Sequence, residues 1–590
     1  VTDPSRDALL TDFGKKTLVD RYLLPGESYQ DMFARVSTAY ADDAEHAQRL
    51  YDYMSRLWFM PATPVLSNGG AARGLPISCF LNSVADSLDD IVGTWTENVW
   101  LASNGGGIGT YWGGVRSIGE KVGQNGQTSG IIPFIRVMDS LTLAISQGSL
   151  RRGSAAAYLD CDHPEIEEFL EIRKPSGDFN RKSLNLHHGV NISDAFMDAV
   201  REDAEFGLRS PKSGEVVKTV SARKLWQKIL ELRLQTGEPY IIFSDTVNNA
   251  LPAHQRKLGL KVRQSNLCSE IMLPTGVDHL GRDRTAVCCL SSLNAETFDE
   301  WKDDERFLED VFRFLDNILE DFIDRAPAEM ERAVYSAMRE RSVGLGLMGF
   351  HSYLQAKGVP FESAVAKSIN MRLFKHVRRA ADMASVKLAE ERGACPDAAE
   401  QGVKARFSHK LAIAPTASIS IICGGTSAGI EPIPANVYTH KTLSGSFTVK
   451  NPHLEALLDA KGANTPAVWA SILEHEGSVQ HLDMLDENEK ATFKTAFELD
   501  QRWVIEHAAD RTPFVCQSQS LNIFLPGDVD KWDLHMLHWT AWEKGVKSLY
   551  YCRSKSVQRA AYAGSGEKSE LERSVEAAAK TDYEECLACQ

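Results

Sequence analysis

Nowhere in the 590 residues is there an apolar run long enough to span a bilayer, and the N-terminus, Val1-Thr2-Asp3-Pro4-Ser5-Arg6-Asp7, lacks an apolar signal core behind a basic start. Membrane insertion and secretion are therefore not expected, and the chain reads as cytoplasmic. Positive charge is in deficit: 65 Lys and Arg stand against 80 Asp and Glu, a formal net charge of −15. This excludes a sequence-independent grip on nucleic acid, which depends on Lys and Arg neutralising phosphates, so a phosphate-bearing ligand has to be held locally. Internal repeats and long low-complexity tracts are missing as well, which leaves no basis for a repeat architecture. Metal-ligand spacing is also lacking: His187-His188 and the isolated His475 and His481 have no partner at zinc-ligand spacing and read as solvated or satisfied histidines, so no metal is expected on this chain.

Two nucleotide-binding patterns are imitated but incomplete. Gly344-Leu345-Gly346-Leu347-Met348-Gly349 matches the dinucleotide fingerprint, yet Glu331 to Arg341 before it reads as helix where a strand is required, so close backbone packing is the preferred reading. In Gly114 to Lys121, Glu120 occupies the position that a phosphate loop reserves for glycine.

What is present is a globular composition, 43% apolar and 25% charged, enough to bury a large core and to divide into two or more units. Eleven cysteines, an odd number, are expected to be reduced in the cytosol, so a cysteine pair is better read as catalytic than as a staple. Residues from about Thr17 to Phe59 are helix-patterned, and from Met60 to Gly130 short apolar runs broken by glycines predict strands and tight turns. Helical stretches at Ala222 to Leu234, Phe307 to Phe322 and Phe374 to Glu391 alternate with strand-like segments at Leu267 to Leu273, Ala286 to Leu290 and Lys410 to Ile413. Such alternation predicts an α/β fold with a parallel sheet or barrel. The organisation expected is a helical N-terminal region over 1–75, a catalytic α/β region over 76–558, and a polar, mobile tail over 559–590.

In Ser265-Asn266-Leu267-Cys268-Ser269-Glu270-Ile271, an amide, a thiol and a carboxylate recur at spacing two, which on an extended backbone aims Asn266, Cys268 and Glu270 at one face. A polar loop with a chance cysteine fits the same spacing. The following Ile271-Met272-Leu273-Pro274-Thr275 turns the reading toward a known family. With it, this segment resembles the finger-loop motif of ribonucleotide reductases, and further motifs follow in the expected order between about Trp58 and Gln590. They are Pro61-Ala62-Thr63-Pro64 with Asn68, Ser78-Cys79, Cys288-Cys289-Leu290-Ser291-Ser292-Leu293-Asn294, Pro415-Thr416-Ala417-Ser418, Gly429-Ile430-Glu431-Pro432, Tyr550-Tyr551, and Cys586-Leu587-Ala588-Cys589.

The resemblance is to the large, catalytic subunit of the class I enzymes. It implies a ten-stranded α/β barrel of two antiparallel five-stranded parallel halves, whereas periodicity supports only the α/β part. It further implies that Cys268 carries a thiyl radical taking the ribose 3′ hydrogen, that Glu270 is the general base for the 3′-OH, and that Asn266 holds the sugar and the carboxylate. Cys79 and Cys288 match the thiol pair oxidised in each turnover. Adjacent strand residues face opposite ways, so only one of Cys288 and Cys289 can point inward, and the spacing to Leu290 and Asn294 favours Cys288.

Thr416, Ala417 and Ser418, with Thr63 and Ser78 opposite, match substrate-contacting positions, and Ile419 stands where some relatives carry a further hydroxyl. Asp86, Arg116 in the Gly114 to Gly130 stretch, and Arg151 with Arg152 in the Gln147 to Ala156 stretch match the loops that bind dNTP or ATP as specificity effectors. Tyr550 and Tyr551 match the pair that relays a radical to the active-site cysteine. Cys586 and Cys589 match the tail thiols that pass electrons from thioredoxin or glutaredoxin. The family acts as a homodimer on ribonucleoside diphosphates, joined by a small, metal-containing β subunit that makes the radical, so no cofactor is expected on this chain. Only about sixty residues precede Pro61, and no N-terminal ATP-cone is expected there. The runner-up is a cobalamin-dependent reductase, which shares the finger-loop cysteine and takes its radical from adenosylcobalamin.

Overall fold

The computed structural model describes residues 1–147, 151–442 and 445–555. After a short 3-10 helix at Pro4–Leu9 come three helices, Asp12–Arg21, Tyr29–Ala39 and Ala44–Ser55, the latter two amphipathic. Thr11, Ser28 and Asp43 cap their first turns through side-chain oxygens, and Met32, Phe33, Val36, Leu50 and Met54 turn inward.

The larger sheet has seven strands. At its centre, Cys79–Ser83, Gly107–Tyr111, Ala155–Asp160, His187–Ile192 and Tyr240–Phe243 run parallel in that order, with Ala286–Cys288 and Ser548–Leu549 antiparallel at the two edges. Helices supply the crossovers that parallel strands require: Leu88–Ser103 follows the first strand and Ile132–Ala144 the second. Met60 to Gly130 thus holds the expected strands Cys79–Ser83 and Gly107–Tyr111 but also the helices Thr63–Asn68 and Leu88–Ser103, which its sequence pattern does not predict. Leu88–Ser103 contains Gly93 and several β-branched and aromatic residues, and its packing against Ile132–Ala144 overrides that weak helical propensity.

A second sheet orders Phe59–Pro61, Leu290–Asn294 and Gly344–Met348. The segment 286–294 belongs to both sheets, pairing with Cys79–Ser83 through its first half and with Gly344–Met348 through its second, and so joins them. Pairing continues through single parallel bridges, Leu345 with Leu411 and Ile413 with Gln519, and then through the parallel pair Ile523–Pro526 and Cys552–Lys555. This half of the curled α/β architecture is strung together partly by bridges where the resemblance implies regular strands. Lys410 to Ile413 is one such bridge segment. The helices at Ala222–Thr236, Phe307–Arg325 and Ala364–Arg392 extend beyond the patterned stretches.

Alternation along the central strands creates two apolar compartments. Ala155, Ala157, Leu159, Ile241 and Phe243 face the main core under the helices, whereas Ala156, Tyr158, Tyr240 and Ile242 face the inside of the curl. There they pack with Leu267, Cys268, Met272, Tyr550 and Tyr551. Gly344 and Gly346 of the imitated fingerprint lie in the strand Gly344–Met348, where a Cβ on Gly344 would sit 2.5 Å from Leu290 Cδ2, and Gly349 follows at φ +78°, where a Cβ would sit 2.5 Å from Thr426 Oγ1. They serve close packing, as the sequence suggested. Among the described residues no helix is long and apolar enough to cross a membrane.

Candidate active site

The 264–275 loop enters the curl between the two sheets. Gln264 Nε2 ties its base to the carbonyls of Asn82 at 2.6 Å and Gly109 at 3.2 Å, and Thr275 Oγ1 donates back to Gln264 Oε1 at 2.9 Å. Gly109 makes the entry possible: a Cβ there would collide with the Ser265 carbonyl oxygen and come within 3.1 Å of Asn266 Cα. Both are backbone atoms, so nothing nearby can yield cheaply. Gly109→Ala is expected to cost about 1–3 kcal/mol of unfolding free energy, read from denaturant midpoints, and to displace the loop that carries the candidate residues.

The loop is not the strand expected at Leu267 to Leu273. Ser269 adopts φ +66°, a left-handed turn between Cys268 and Glu270, so a regular extended backbone does not account for their arrangement. Side chains from distant parts of the chain satisfy the backbone instead. Ser520 Oγ donates to the Cys268 carbonyl at 2.6 Å, Ser548 Oγ to that of Ser269 at 2.8 Å, and Tyr158 OH to that of Asn266. The Met272 N–H reaches Gln517 Oε1 at 3.0 Å, and the Ser518 N–H reaches the Glu270 carbonyl at 2.9 Å. Sequence reading missed Tyr158, Gln517, Ser520 and Ser548, because nothing local marks a residue that acts on a loop more than a hundred positions away.

This turn brings three thiols, a carboxyl and an amide together. Cys79 and Cys288 are opposite each other in register on paired strands, and Asn266 Nδ2 donates to Cys79 Sγ at 3.3 Å. Asn266 Oδ1 accepts from the Glu270 N–H at 3.2 Å, and Ser520 Oγ donates to Glu270 Oε2 at 3.3 Å. All five residues are buried. Burial pushes the Glu270 carboxyl up to about 8, with Cys79 adding to the shift. Burial also holds the Cys288 thiol well above its ordinary range, and Cys79 beside it acts in the same direction. Cys289 points away, toward the Leu315 carbonyl at 3.6 Å.

Tyr550 and Tyr551, both buried, join Ser548–Leu549 at the edge of the larger sheet to Cys552–Lys555, which pairs with Ile523–Pro526. Tyr550 OH lies 3.6 Å from Cys268 Sγ, and the two tyrosine rings are 4.4 Å apart between centroids. Arg233, fully buried, fixes this segment by donating to the Tyr550 carbonyl at 2.8 Å and the Pro239 carbonyl at 2.7 Å. Tyr240 packs against both tyrosines, at 4.9 and 5.2 Å.

The remaining candidates lie around this centre. Thr416 takes φ +55°, and its hydroxyl accepts from the Gly429 N–H at 2.7 Å, which couples the 415–418 turn to Gly429-Ile430-Glu431. Ala417 is half-buried and Ser418 buried, just ahead of the short helix Ile419–Ile422. Ser78 is buried beside Cys79, whereas Thr63 begins the helix Thr63–Asn68 and meets Tyr22 OH at 2.8 Å. Asp86 and Arg116 pair with each other at 3.0 Å. Arg151 sits on a short strand opposite Gln147, and its side chain lies outside the described residues. Cys586 and Cys589 also lie outside them.

Comparison with known proteins agrees over nearly the whole length. The family model for the ribonucleotide reductase all-alpha domain matches residues 8–74, and that for the ribonucleotide reductase barrel domain matches 77–405 and 397–552. The chain belongs to the ribonucleotide reductase family. It is similar to the ribonucleoside-diphosphate reductase large subunit of Invertebrate iridescent virus 3, with 42% identity over 94% of this chain and 95% of that protein. The corresponding large subunit of Caenorhabditis elegans is 33% identical over 94% of this chain and 77% of its own length. Among solved structures, the Actinobacillus ureae class Id ribonucleotide reductase alpha subunit superposes with a TM-score of 0.83 at 34% identity, covering 94% of this chain and 98% of that one. Family similarity thus reaches into the helical N-terminal region, ahead of the Trp58 boundary read from motifs.

Proposed function

We propose that this chain is the catalytic subunit of a ribonucleoside-diphosphate reductase that removes the ribose 2′-hydroxyl by thiyl-radical chemistry. The observation that carries the reading is the buried meeting of Cys79, Cys288 and Cys268 with Glu270 and Asn266. Cys268 as a thiyl radical takes the 3′ hydrogen, and Glu270 takes the 3′-OH proton. The 2′-hydroxyl leaves as water with a proton from the Cys79 and Cys288 pair. The thiols then deliver a hydrogen to C2′ and two electrons in all, becoming a disulfide, while Glu270 returns its proton to O3′ and Cys268 returns its hydrogen to C3′. The balance is one diphosphate and two thiols to one deoxynucleotide, one disulfide and one water.

In this proposal Thr416, Ala417 and Ser418 face the diphosphate, with Thr63 and Ser78 on the opposite side. Asp86, Arg116 and Arg151 belong to a dNTP or ATP specificity site, for which the paired Asp86 and Arg116 supply a carboxylate and a guanidinium. Cys586 and Cys589 return the disulfide to dithiol using thioredoxin or glutaredoxin. The working enzyme is a cytoplasmic homodimer joined by a small β subunit, whose metal-derived radical enters through Tyr551 and Tyr550. The 3.6 Å approach of Tyr550 to Cys268 favours this over the cobalamin reading, which needs no tyrosine relay.

Reduction of CDP is expected only when a metal-loaded small subunit is added; turnover with adenosylcobalamin alone would reassign the radical source. Because burial pushes Glu270 up to about 8, only a minor fraction is a carboxylate at neutral pH, and kcat/KM is expected to rise with pH until that group has ionised. Glu270→Gln should cripple turnover and remove this limb from the profile. A parental pH dependence in that variant counts against the base assignment.

A further inference from the structure

A buried ionic cluster lies behind the tyrosine pair, and the chemistry above gives it no part. Glu238, fully buried just ahead of the strand Tyr240–Phe243, accepts from Arg173 Nη1 at 2.6 Å and is bonded to His188 Nδ1 at 3.1 Å and to His187 Nδ1. Both histidines open the strand His187–Ile192, which pairs in parallel with Tyr240–Phe243. His188 also meets the Leu170 carbonyl through Nε2 at 3.2 Å. Burial opposes ionisation of Glu238, but Arg173 and the histidines outweigh it and hold the carboxyl well below its ordinary range.

His187 stands between this carboxylate and Tyr551. Its Nδ1 lies 3.4 Å from Tyr551 OH while bonding Glu238, the Tyr551 ring meets it edge-on and the Tyr240 ring stacks on it, both at 6.2 Å. Arg553 lies over the Tyr551 ring at 4.4 Å, and Arg233 and Tyr158 are further ionisable neighbours of Glu238. A phenol that loses an electron becomes a strong acid, and in a buried site its proton has to pass to a base already in contact. Tyr550 faces Cys268; Tyr551 faces His187.

We infer that His187 and Glu238 form the proton-accepting pair of Tyr551. When an organic radical on the small subunit oxidises Tyr551, the electron reduces that radical and the phenolic O–H bond breaks. The proton passes to His187 Nδ1 as the proton shared with Glu238 settles on the Glu238 carboxylate. Tyr550 then passes its own hydrogen atom to the Tyr551 oxygen, and the proton stays on the His187 and Glu238 pair until the radical returns, when Tyr551 takes it back together with an electron from the small subunit. His187 touches the reacting hydroxyl, and Glu238 is a positioning residue that acts through it. The inference rests on Tyr551 serving as a relay.

In the full chain assembled with its small subunit, Glu238→Gln and His187→Gln are each expected to lower kcat roughly tenfold or more with KM for CDP within about twofold. The double variant should lose no more than the worse single one, because one group acts through the other, whereas separate packing defects add. A 3-nitrotyrosine at position 551 tests the contact without turnover: its absorbance titration should move to lower pH by about one unit when Glu238→Gln removes the nearby negative charge. If the variants do not fold, an easily oxidised tyrosine analogue at 551 in the otherwise unchanged chain should trap a radical with hyperfine coupling to isotope-labelled histidine nitrogen. Near-parental kcat in either single variant, additive losses, an unmoved nitrotyrosine titration or absent nitrogen coupling each overturns the pair. Full activity in Tyr551→Phe instead overturns the relay beneath it.

Discussion

Cys268→Ser is expected to abolish CDP reduction while substrate and effector still bind. Serine is close in size, and the Cys268 carbonyl is held by Ser520 Oγ at 2.6 Å, a contact that does not involve the thiol. The loop should therefore keep its shape. What changes is the bond to hydrogen: an S–H bond is weak enough to open and re-form, and an alcohol O–H bond is too strong to act as a hydrogen-atom shuttle. A fall of at least about a thousandfold, on the order of 4 kcal/mol in the barrier, is expected. Turnover assays with the small subunit, alongside calorimetric binding of nucleotide, separate this outcome from misfolding. Residual activity above a few per cent, with the fold intact, would remove Cys268 from the radical role.

Tyr550→Phe and Tyr551→Phe should each eliminate reduction with the small subunit while leaving folding and ligand binding unchanged. Phenylalanine nearly preserves the ring that packs among Tyr240, Val262, Leu267 and Met272, so the apolar cluster is retained. It lacks the hydroxyl that in Tyr550 lies 3.6 Å from Cys268 Sγ. Without that O–H there is no phenol to lose an electron and a proton together, and a radical arriving from another subunit stops short of Cys268. The loss should match that of Cys268→Ser in size, at least about a thousandfold. If either variant reduces CDP at near-parental rates with its β partner, the tyrosine route is wrong. The two tyrosines, with ring centroids 4.4 Å apart, are tested one at a time, because a double variant would not show that each hydroxyl is required.

Much of this protein is written locally. Apolar spacing marks the faces of Ala222–Thr236 and Phe307–Arg325, because a helix buries one stripe whatever lies beneath it. Ordered motifs single out Asn266, Cys268, Glu270, Cys79 and the tyrosines, and the alternation of elements declares an α/β fold. Tertiary structure decided the rest. Ser269 turns left-handed because Ser520, Ser548, Gln517 and Tyr158 capture the loop's carbonyls and amides from far along the chain, and no local preference of a serine specifies that conformation. Strand alternation and the spacing to Leu290 and Asn294 already favour Cys288 over Cys289, but that Cys288 lies opposite Cys79 is set by sheet register, which is a property of two strands. His187 and His188 look unremarkable in sequence and acquire a shared partner only when Glu238 is carried beside them by the parallel pairing of Tyr240 with Gly189. Local pattern determines which side of an element is apolar; which chemical groups meet across it depends on packing between segments that the chain separates by tens to hundreds of residues.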